Sequence, residues 1–366
     1  MQDYRYELAG ADTSAMAPEE YAAIKAAAEK KEKTELFVSA SFLAILLLLY
    51  DFFNFLFARV FWLAAYTRYT GRLSLDLDRV REYFTSELPE ASKTTAFNMT
   101  GSVFIVAASS LSIFIIGQFI MKIKLSEILK PYKTCVTDGI RFFPTTLTFN
   151  LMAGMLVTII STMLREDGIT LPESDFSMTS PTGYELFMQF MYICVIGPIC
   201  EEFIYRGLCI KLLSPFGSGL AVTFSAVAFG VMHGNVKQAL PAMLTGFVYA
   251  LVAVRYGSIV PTIIIHILNN IAASVTDYGN ALGWTNTDVI NRVINIVMLF
   301  LGFYGIIVLF TELLEKVYSD EPKCALPYRK RFFSVWTNVF CVIYFIYLFW
   351  EFIEKIINAN LNGGSQ

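Results

Sequence analysis

Nine apolar segments, each about as long as a membrane-spanning helix, recur along this chain of 366 residues. A spanning helix needs about 20 predominantly apolar residues. Apolar residues make up 55% of the chain and charged residues 16%, whereas soluble domains carry about 25% charged residues. The pattern predicts an all-α, polytopic helical membrane protein with about eight or nine transmembrane helices. The candidate spans are 37–57, 101–121, 143–163, 186–206, 219–235, 238–254, 258–275, 293–313 and 333–353.

The beginning of the chain differs from the rest because residues 1–35 are polar and charged. Pro18 stands where a helix can begin, which predicts a soluble or surface-lying helix over about 18–35. No basic segment precedes a short apolar core and a cleavage site, so a signal peptide is not predicted. The first apolar run continues to about Tyr66. It predicts either one long span or a span followed by an interfacial helix.

The distribution of charge between the apolar segments predicts the orientation in the membrane. The segment before the first span and the loops 122–141 and 316–331 are rich in Lys and Arg, whereas the loop 165–185 is acidic. These features place the N-terminus in the cytoplasm, and residues 58–95, which carry basic side chains on the predicted outer face, are the exception. The net charge of −3 gives no indication of the basic face that nucleic-acid binding needs, so no nucleic-acid partner is expected. The expected partners are membrane lipid and a membrane-associated peptide or protein substrate.

Ionisable side chains inside apolar helices are costly and usually mark a functional or paired structural site. The fourth candidate span ends in Glu201 and Glu202, followed by Arg206. Glu202 and Arg206 are four residues apart, so they share a helix face and can form an ion pair. Glu201 points about 100° away and can face a cavity. Gly197 and Pro198, one turn earlier, predict a bend and a freed backbone carbonyl.

Both histidines of the chain lie in apolar helices that follow this span. Phe229 and His233 share a face at i,i+4, and so do His266 and Asn270. Taken singly, each pattern also fits a structural polar residue. Together with the glutamates they can activate water and stabilise an oxyanion, which predicts hydrolysis of a peptide bond within the membrane. The same residue types, Glu201 with the two histidines, could instead ligate zinc.

The three motifs resemble, in order and spacing, those of the CAAX protease and bacteriocin-processing (CPBP, or Abi) family of intramembrane proteases. This family includes the Ras-converting CAAX endoproteases. The resemblance covers about residues 130–275 and implies a bundle of helices that encloses a conical, water-filled catalytic cavity. The motifs read Glu201-Glu202-x-x-x-Arg206, Phe229-x-x-x-His233 and His266-x-x-x-Asn270.

The resemblance also implies a role for each motif. Glu201 would activate the attacking water with the assistance of His233, while His266 and Asn270 would form the oxyanion hole. The neighbouring pair of Glu202 and an arginine would orient the site. The family has been described as metalloproteases, whereas a glutamate–water mechanism needs no metal. We favour the glutamate mechanism without a cofactor; the alternative is a zinc enzyme with Glu201, His233 and His266 as ligands.

A different class of function stays open at this point. The chain could be a non-proteolytic immunity or transport protein that uses the same fold, because intramembrane Glu, His and Arg also build proton relays. Transporters often contain two related halves with paired broken helices. No such duplication is visible in the sequence, which favours the hydrolase.

The chain is predicted to comprise four parts. They are a polar N-terminal segment (1–35), additional N-terminal transmembrane helices (36–129), a CPBP-like catalytic core (130–275), and additional C-terminal transmembrane helices with a tail (276–366). The flanking helices resemble no group within the family. No signal for a eukaryotic organelle is visible, so the expected location is a bacterial plasma membrane.

Overall fold

The computed structural model describes residues 17–88, 94–172, 181–314, 322 and 324–363. Within these ranges the chain is helical and contains no strand, which confirms the all-α prediction. The helices are α1 (Pro18–Thr70), α2 (Leu77–Glu82), α3 (Thr95–Met121), α4 (Leu125–Leu129), α5 (Cys135–Glu166), α6 (Gly183–Phe190), α7 (Gly197–Glu202), α8 (Ile210–Leu213), α9 (Ser218–Val231), α10 (Val236–Tyr256), α11 (Val260–Ala281), α12 (Thr287–Val308), α13 (Tyr328–Trp336) and α14 (Val339–Gly363).

Several helices are long and apolar enough to cross a membrane, so the protein is a polytopic membrane protein. Among the described residues, α1, α3, α5 and α10 meet this condition, and so does α12 together with the π-helical turn Leu309–Leu314 that follows it. The pair α13 and α14, bent by 55°, makes a sixth if it counts as one span. The other three predicted spans correspond to α9, which has only 14 residues, to α11, which carries His266 and two asparagines at mid-length, and to the run from α6 to α8. This run, residues 183–213, is called the interrupted helix below.

The N-terminal helix α1 is continuous over 53 residues. At 1.5 Å per residue it is about 80 Å long, far longer than the hydrocarbon core of a bilayer is thick. Pro18 lies in the first turn, as predicted, but the helix does not end before the apolar segment. The polar residues 18–35 therefore continue directly into the first span and do not form a separate surface helix. Beyond residue 57 the helix also continues without a break, which agrees with one long helix rather than a span followed by a separate interfacial helix. The polar residues 1–16 lie outside the described residues.

The interrupted helix packs beside α3 and runs in the same direction. At one end of the pair, the backbone N–H of Ala96 donates to Glu185 at 3.3 Å. At the other end, Gly117 approaches Leu208 so closely that a Cβ there would lie 3.3 Å from the leucine side chain. Glu201 lies between these two ends. The paired glutamates are thus held within the apolar part of the helix bundle.

Small residues let α5 and α12 approach each other closely. Thr145 Oγ1 donates to the carbonyl of Gly305 at 3.1 Å, and Thr148 Oγ1 donates to that of Gly302 at 2.6 Å. Glycine and threonine are common at helix contacts in membranes because they allow close backbone approach and interhelical hydrogen bonds. These contacts hold α12 against α5, and α5 also packs against the motif-bearing helix α11.

Candidate active site

The interrupted helix changes its hydrogen-bonding pattern twice. The π-helical stretches Met191–Ile196 and Phe203–Cys209 flank α7, and such stretches are frequent at functional sites. In π register, residue 198 would donate to the carbonyl of Ile193, but Pro198 has no N–H. The Ile193 carbonyl instead accepts the side-chain amide of Asn270 at 2.8 Å. The interruption of one helix is therefore tied to a motif residue on another.

Glu202 is the centre of a buried charge network. Its side chain is 0% exposed, and its Oε1 accepts a hydrogen bond from Arg206 Nη1 at 3.0 Å. The same oxygen accepts from His266 Nδ1 at 2.9 Å. Arg206 Nη2 donates to the carbonyl of Gly246 at 3.0 Å. A buried carboxylate needs such compensation, and here it joins the interrupted helix, α10 and α11.

Glu201 occupies a different position from its neighbour. Its side chain is 21% exposed, and its Oε2 lies 3.6 Å from His266 Nε2. That distance exceeds a direct hydrogen bond. Because His266 Nδ1 is engaged by Glu202, the imidazole turns its other nitrogen toward Glu201. Of the two adjacent carboxylates, one is locked in the buried network and the other is accessible, as the helical periodicity predicts.

His233 follows the C-terminal end of α9. Its Nδ1 lies 2.9 Å from the carbonyl of Phe229, and since a carbonyl oxygen only accepts, Nδ1 is the protonated nitrogen and Nε2 carries the lone pair. The Phe229 ring packs edge-to-face against both imidazoles, with centroids 5.2 Å from His233 and 5.6 Å from His266. His233 also lies within electrostatic range of Glu201 and His266. The structure thus brings both histidines and both glutamates to one region.

Three asparagines connect the site to α5. Asn150 Nδ2 donates to Asn269 Oδ1, and Asn269 Nδ2 donates to Asn270 Oδ1 at 3.4 Å. These contacts, with the bond from Asn270 to the carbonyl of Ile193, define the orientation of the Asn270 amide. A primary amide carries two N–H groups. One of them is engaged with the backbone, and the second can serve as a donor to a substrate.

Residues 183–272 match the family model described as "Type II CAAX prenyl endopeptidase Rce1-like". This segment is similar to the Rce1-like CAAX endopeptidases. The match begins with the interrupted helix and ends within α11, so it includes all three motifs. No curated protein and no solved structure matches the chain.

The match of residues 183–272 confirms the resemblance predicted from the motifs and supports an intramembrane endopeptidase. It is shorter than the 130–275 over which the sequence shows resemblance, and α5 lies outside it. Asn150 therefore contacts the site from a helix that the family model does not include. The assignment of the remaining parts of the chain to N-terminal and C-terminal flanking regions stays a prediction.

Two residues of the matched segment that contact the site were not identified from the sequence. Both lie on α10, which carries none of the three motifs. Gly246 accepts from Arg206, and a Cβ there would lie 2.7 Å from both Arg206 Nη2 and the Phe229 ring. Tyr249, one turn later, packs on His266. The sequence contains no local signal that marks either residue, because neither lies in a motif or a periodic polar pattern.

The zinc alternative requires Glu201, His233 and His266 to converge on one metal ion. Across the described part of the chain, no three His, Cys, Asp or Glu side chains are grouped so that they could hold a metal ion. Glu201, His233 and His266 are not grouped in this way among the described residues, and their role as zinc ligands stays the alternative prediction.

Proposed function

We propose that this protein is an intramembrane endopeptidase that hydrolyses a peptide bond of a membrane-associated protein or peptide with a glutamate-activated water. The observation that carries the proposal is the difference in burial and hydrogen bonding between the two adjacent carboxylates. Glu202 is fixed by Arg206 and His266, while Glu201 is accessible and 3.6 Å from His266 Nε2. A general base must be within reach of water, and an orienting group must be held still.

The chemistry follows from the available nitrogens and oxygens. Glu201 takes one proton from water, whose oxygen forms a bond to the carbonyl carbon of the scissile peptide, and His233 Nε2 accepts a hydrogen bond from the O–H that remains. The carbonyl electrons move to oxygen, and the resulting oxyanion accepts hydrogen bonds from His266 and Asn270. The donor atom of His266 is Nε2, because Nδ1 is engaged by Glu202. The tetrahedral intermediate then collapses, the C–N bond breaks, and Glu201 returns its proton to the leaving amine.

The substrate class rests on the family description, which names a prenyl endopeptidase. We infer a substrate held at the membrane by a lipid group or an apolar segment, so membrane lipid and a membrane-associated peptide are the partners. We place the protein in a bacterial plasma membrane with its N-terminus in the cytoplasm. The basic loops support this orientation through the positive-inside rule, and the mildly acidic chain offers no nucleic-acid surface.

The experiment is a cleavage assay with purified protein in liposomes. Peptides with a CAAX terminus, with and without a prenyl group, are incubated with the protein, and products are identified by mass spectrometry. We expect Glu201→Gln to lower kcat about 10²- to 10⁴-fold, as for loss of a general base. The matched control is Glu351→Gln, because Glu351 lies on α14 and hydrogen-bonds Tyr347 outside the site.

Two results would overturn the proposal. Equal cleavage by wild type and Glu201→Gln would remove Glu201 from catalysis. No cleavage of any peptide, together with proton-dependent solute uptake that Glu201→Gln abolishes, would favour the alternative of a transport protein with this fold.

A further inference from the structure

Tyr249 is a buried tyrosine that no motif includes. Its side chain is 0% exposed, and its ring lies 4.9 Å from the His266 ring, centroid to centroid, with an angle of 31° between the planes. This is close to a stacked arrangement. Aromatic contacts of this kind prefer offset stacking and add stabilisation beyond that of their buried area. One face of the His266 ring is therefore covered by Tyr249.

The same tyrosine contacts the arginine of the charge network. Arg206 Cζ lies 5.1 Å from the centre of the Tyr249 ring and 4.1 Å from that of Phe229. Phe229 meets the His266 ring edge-on, at 88°. Two aromatic rings from two helices thus enclose an imidazole and a guanidinium, and both rings are suited to cationic neighbours.

The hydroxyl group of Tyr249 does not explain its position. Within the described residues, Oη makes no hydrogen bond to Glu202, Arg206 or His266. The contacts that Tyr249 makes with the site are made by its ring. An aromatic ring is consequently the required feature, and a phenylalanine would retain it.

We propose that Tyr249 is a positioning residue of the hydrolytic site, which holds the His266 imidazole in the orientation that turns Nε2 toward Glu201. The inference rests on the proposed function for its catalytic consequence. His266 is linked to Glu202 only through Nδ1, and one hydrogen bond leaves a ring free to tilt about that contact. Tyr249 on one face and Phe229 at the edge remove that freedom.

The kinetic experiment compares three variants in the liposome assay. Tyr249→Phe keeps the ring and should retain kcat within about threefold, whereas Tyr249→Leu should lower kcat about 10- to 100-fold with little change in KM, since small misplacements of a catalytic group have costs of this size. Tyr344→Leu is the matched control, because Tyr344 is 1% exposed and packs on Phe345. It should lower thermal stability and leave the kcat of folded protein unchanged.

A second measurement does not depend on cleavage. The chain contains only two histidines, so protein labelled with ¹⁵N and ¹³C histidine and purified without a histidine tag gives two sets of imidazole resonances. His233→Gln assigns them. Tyr249→Leu should move the His266 ring protons downfield, because the ring-current shielding of Tyr249 is lost, while His233 and the Tyr249→Phe spectrum stay close to wild type.

The outcomes separate the two proposals. Unchanged His266 resonances in Tyr249→Leu, or unchanged kcat in that variant, would overturn the positioning role. A wild-type protein that cleaves no peptide but shows the expected spectra would overturn the proposed peptidase function and leave the contact between Tyr249 and His266 intact.

Discussion

His266 Nδ1 donates to Glu202 Oε1 at 2.9 Å, and this single contact fixes which nitrogen of the imidazole faces Glu201. The carboxylate that makes the contact is itself held by Arg206. The relative position of two helices thereby sets the orientation of the ring: the interrupted helix and α11 must keep their relative position for Nε2 to face Glu201. Carboxylate partners often select the reactive nitrogen of a histidine in this way.

The first prediction concerns the buried ion pair. Arg206→Leu leaves the Glu202 carboxylate without its main compensating charge, and removing one partner of a buried pair costs about 3–5 kcal/mol. The double variant Glu202→Gln with Arg206→Leu removes both charges and should recover part of that loss. Thermal unfolding in detergent measures both variants. If Glu202→Gln lowered stability by the same amount in the Arg206→Leu background as it does alone, the two residues would not be energetically coupled.

The second prediction concerns the close approach of α10 to the site. A Cβ on Gly246 would lie 2.7 Å from Arg206 Nη2 and from the Phe229 ring, so Gly246→Ala must displace one of them. Overpacking of this kind costs about 1–3 kcal/mol, and kcat should fall with it. Gly154→Ala is the matched control, because a Cβ at that helical position on α5 meets nothing within 4 Å. Equal effects of the two alanines on unfolding and cleavage would contradict the expectation.

How much of this site can be read from the sequence depends on the range of each interaction. The pairing of Glu202 with Arg206 is local to one helical turn, so the i,i+4 spacing predicts it, and the structure shows it at 3.0 Å. The separation of Glu201 from its neighbour follows from the same periodicity. Contacts between different helices do not follow from residue spacing. The resemblance to the family's motifs is what predicts that the helices carrying them come together.

The contacts that sequence reasoning missed join residues far apart in the chain. Gly246 meets Arg206 across 40 positions, and Asn150 meets Asn269 across 119. Neither lies in a pattern with a period, so nothing local distinguishes them from other residues of apolar helices. The continuity of α1 was missed for another reason. Its polar and apolar halves suggest two environments, although a helix can pass between environments without ending.

The third prediction tests the asparagine chain that enters the site from α5. Asn150→Leu removes the donor to Asn269 and so the support for Asn270. Because the amide of Asn270 is proposed to stabilise the oxyanion, its reorientation should lower kcat about tenfold with KM little changed. Asn150→Gln, which retains a donor, should recover part of the rate.

The control for this experiment is a second asparagine in the same groove. Asn150 and Asn295 both line the space between α5 and α12, but Asn295 donates only to Asn291 of its own helix, at 3.4 Å. Asn295→Leu changes the polarity of the groove by the same amount and should leave kcat unchanged. A similar loss in both variants would assign the effect to the groove rather than to the support of Asn270.

The last prediction concerns metal dependence. The proposed mechanism uses His233 Nε2 and His266 Nε2 as partners of water and oxyanion, and the described side chains form no three-ligand group. Dialysis against a strong zinc chelator should therefore leave the cleavage rate within about twofold, and metal analysis should give far less than the one zinc per chain that a catalytic site holds. Loss of activity on chelation, with recovery on adding zinc but not magnesium, would instead assign Glu201, His233 and His266 as ligands. In the zinc mechanism, the hydrogen bond from His266 to Glu202 would orient a metal ligand. Glu202→Gln should then weaken zinc affinity about 10- to 100-fold. The zinc affinity of this variant therefore distinguishes the two mechanisms.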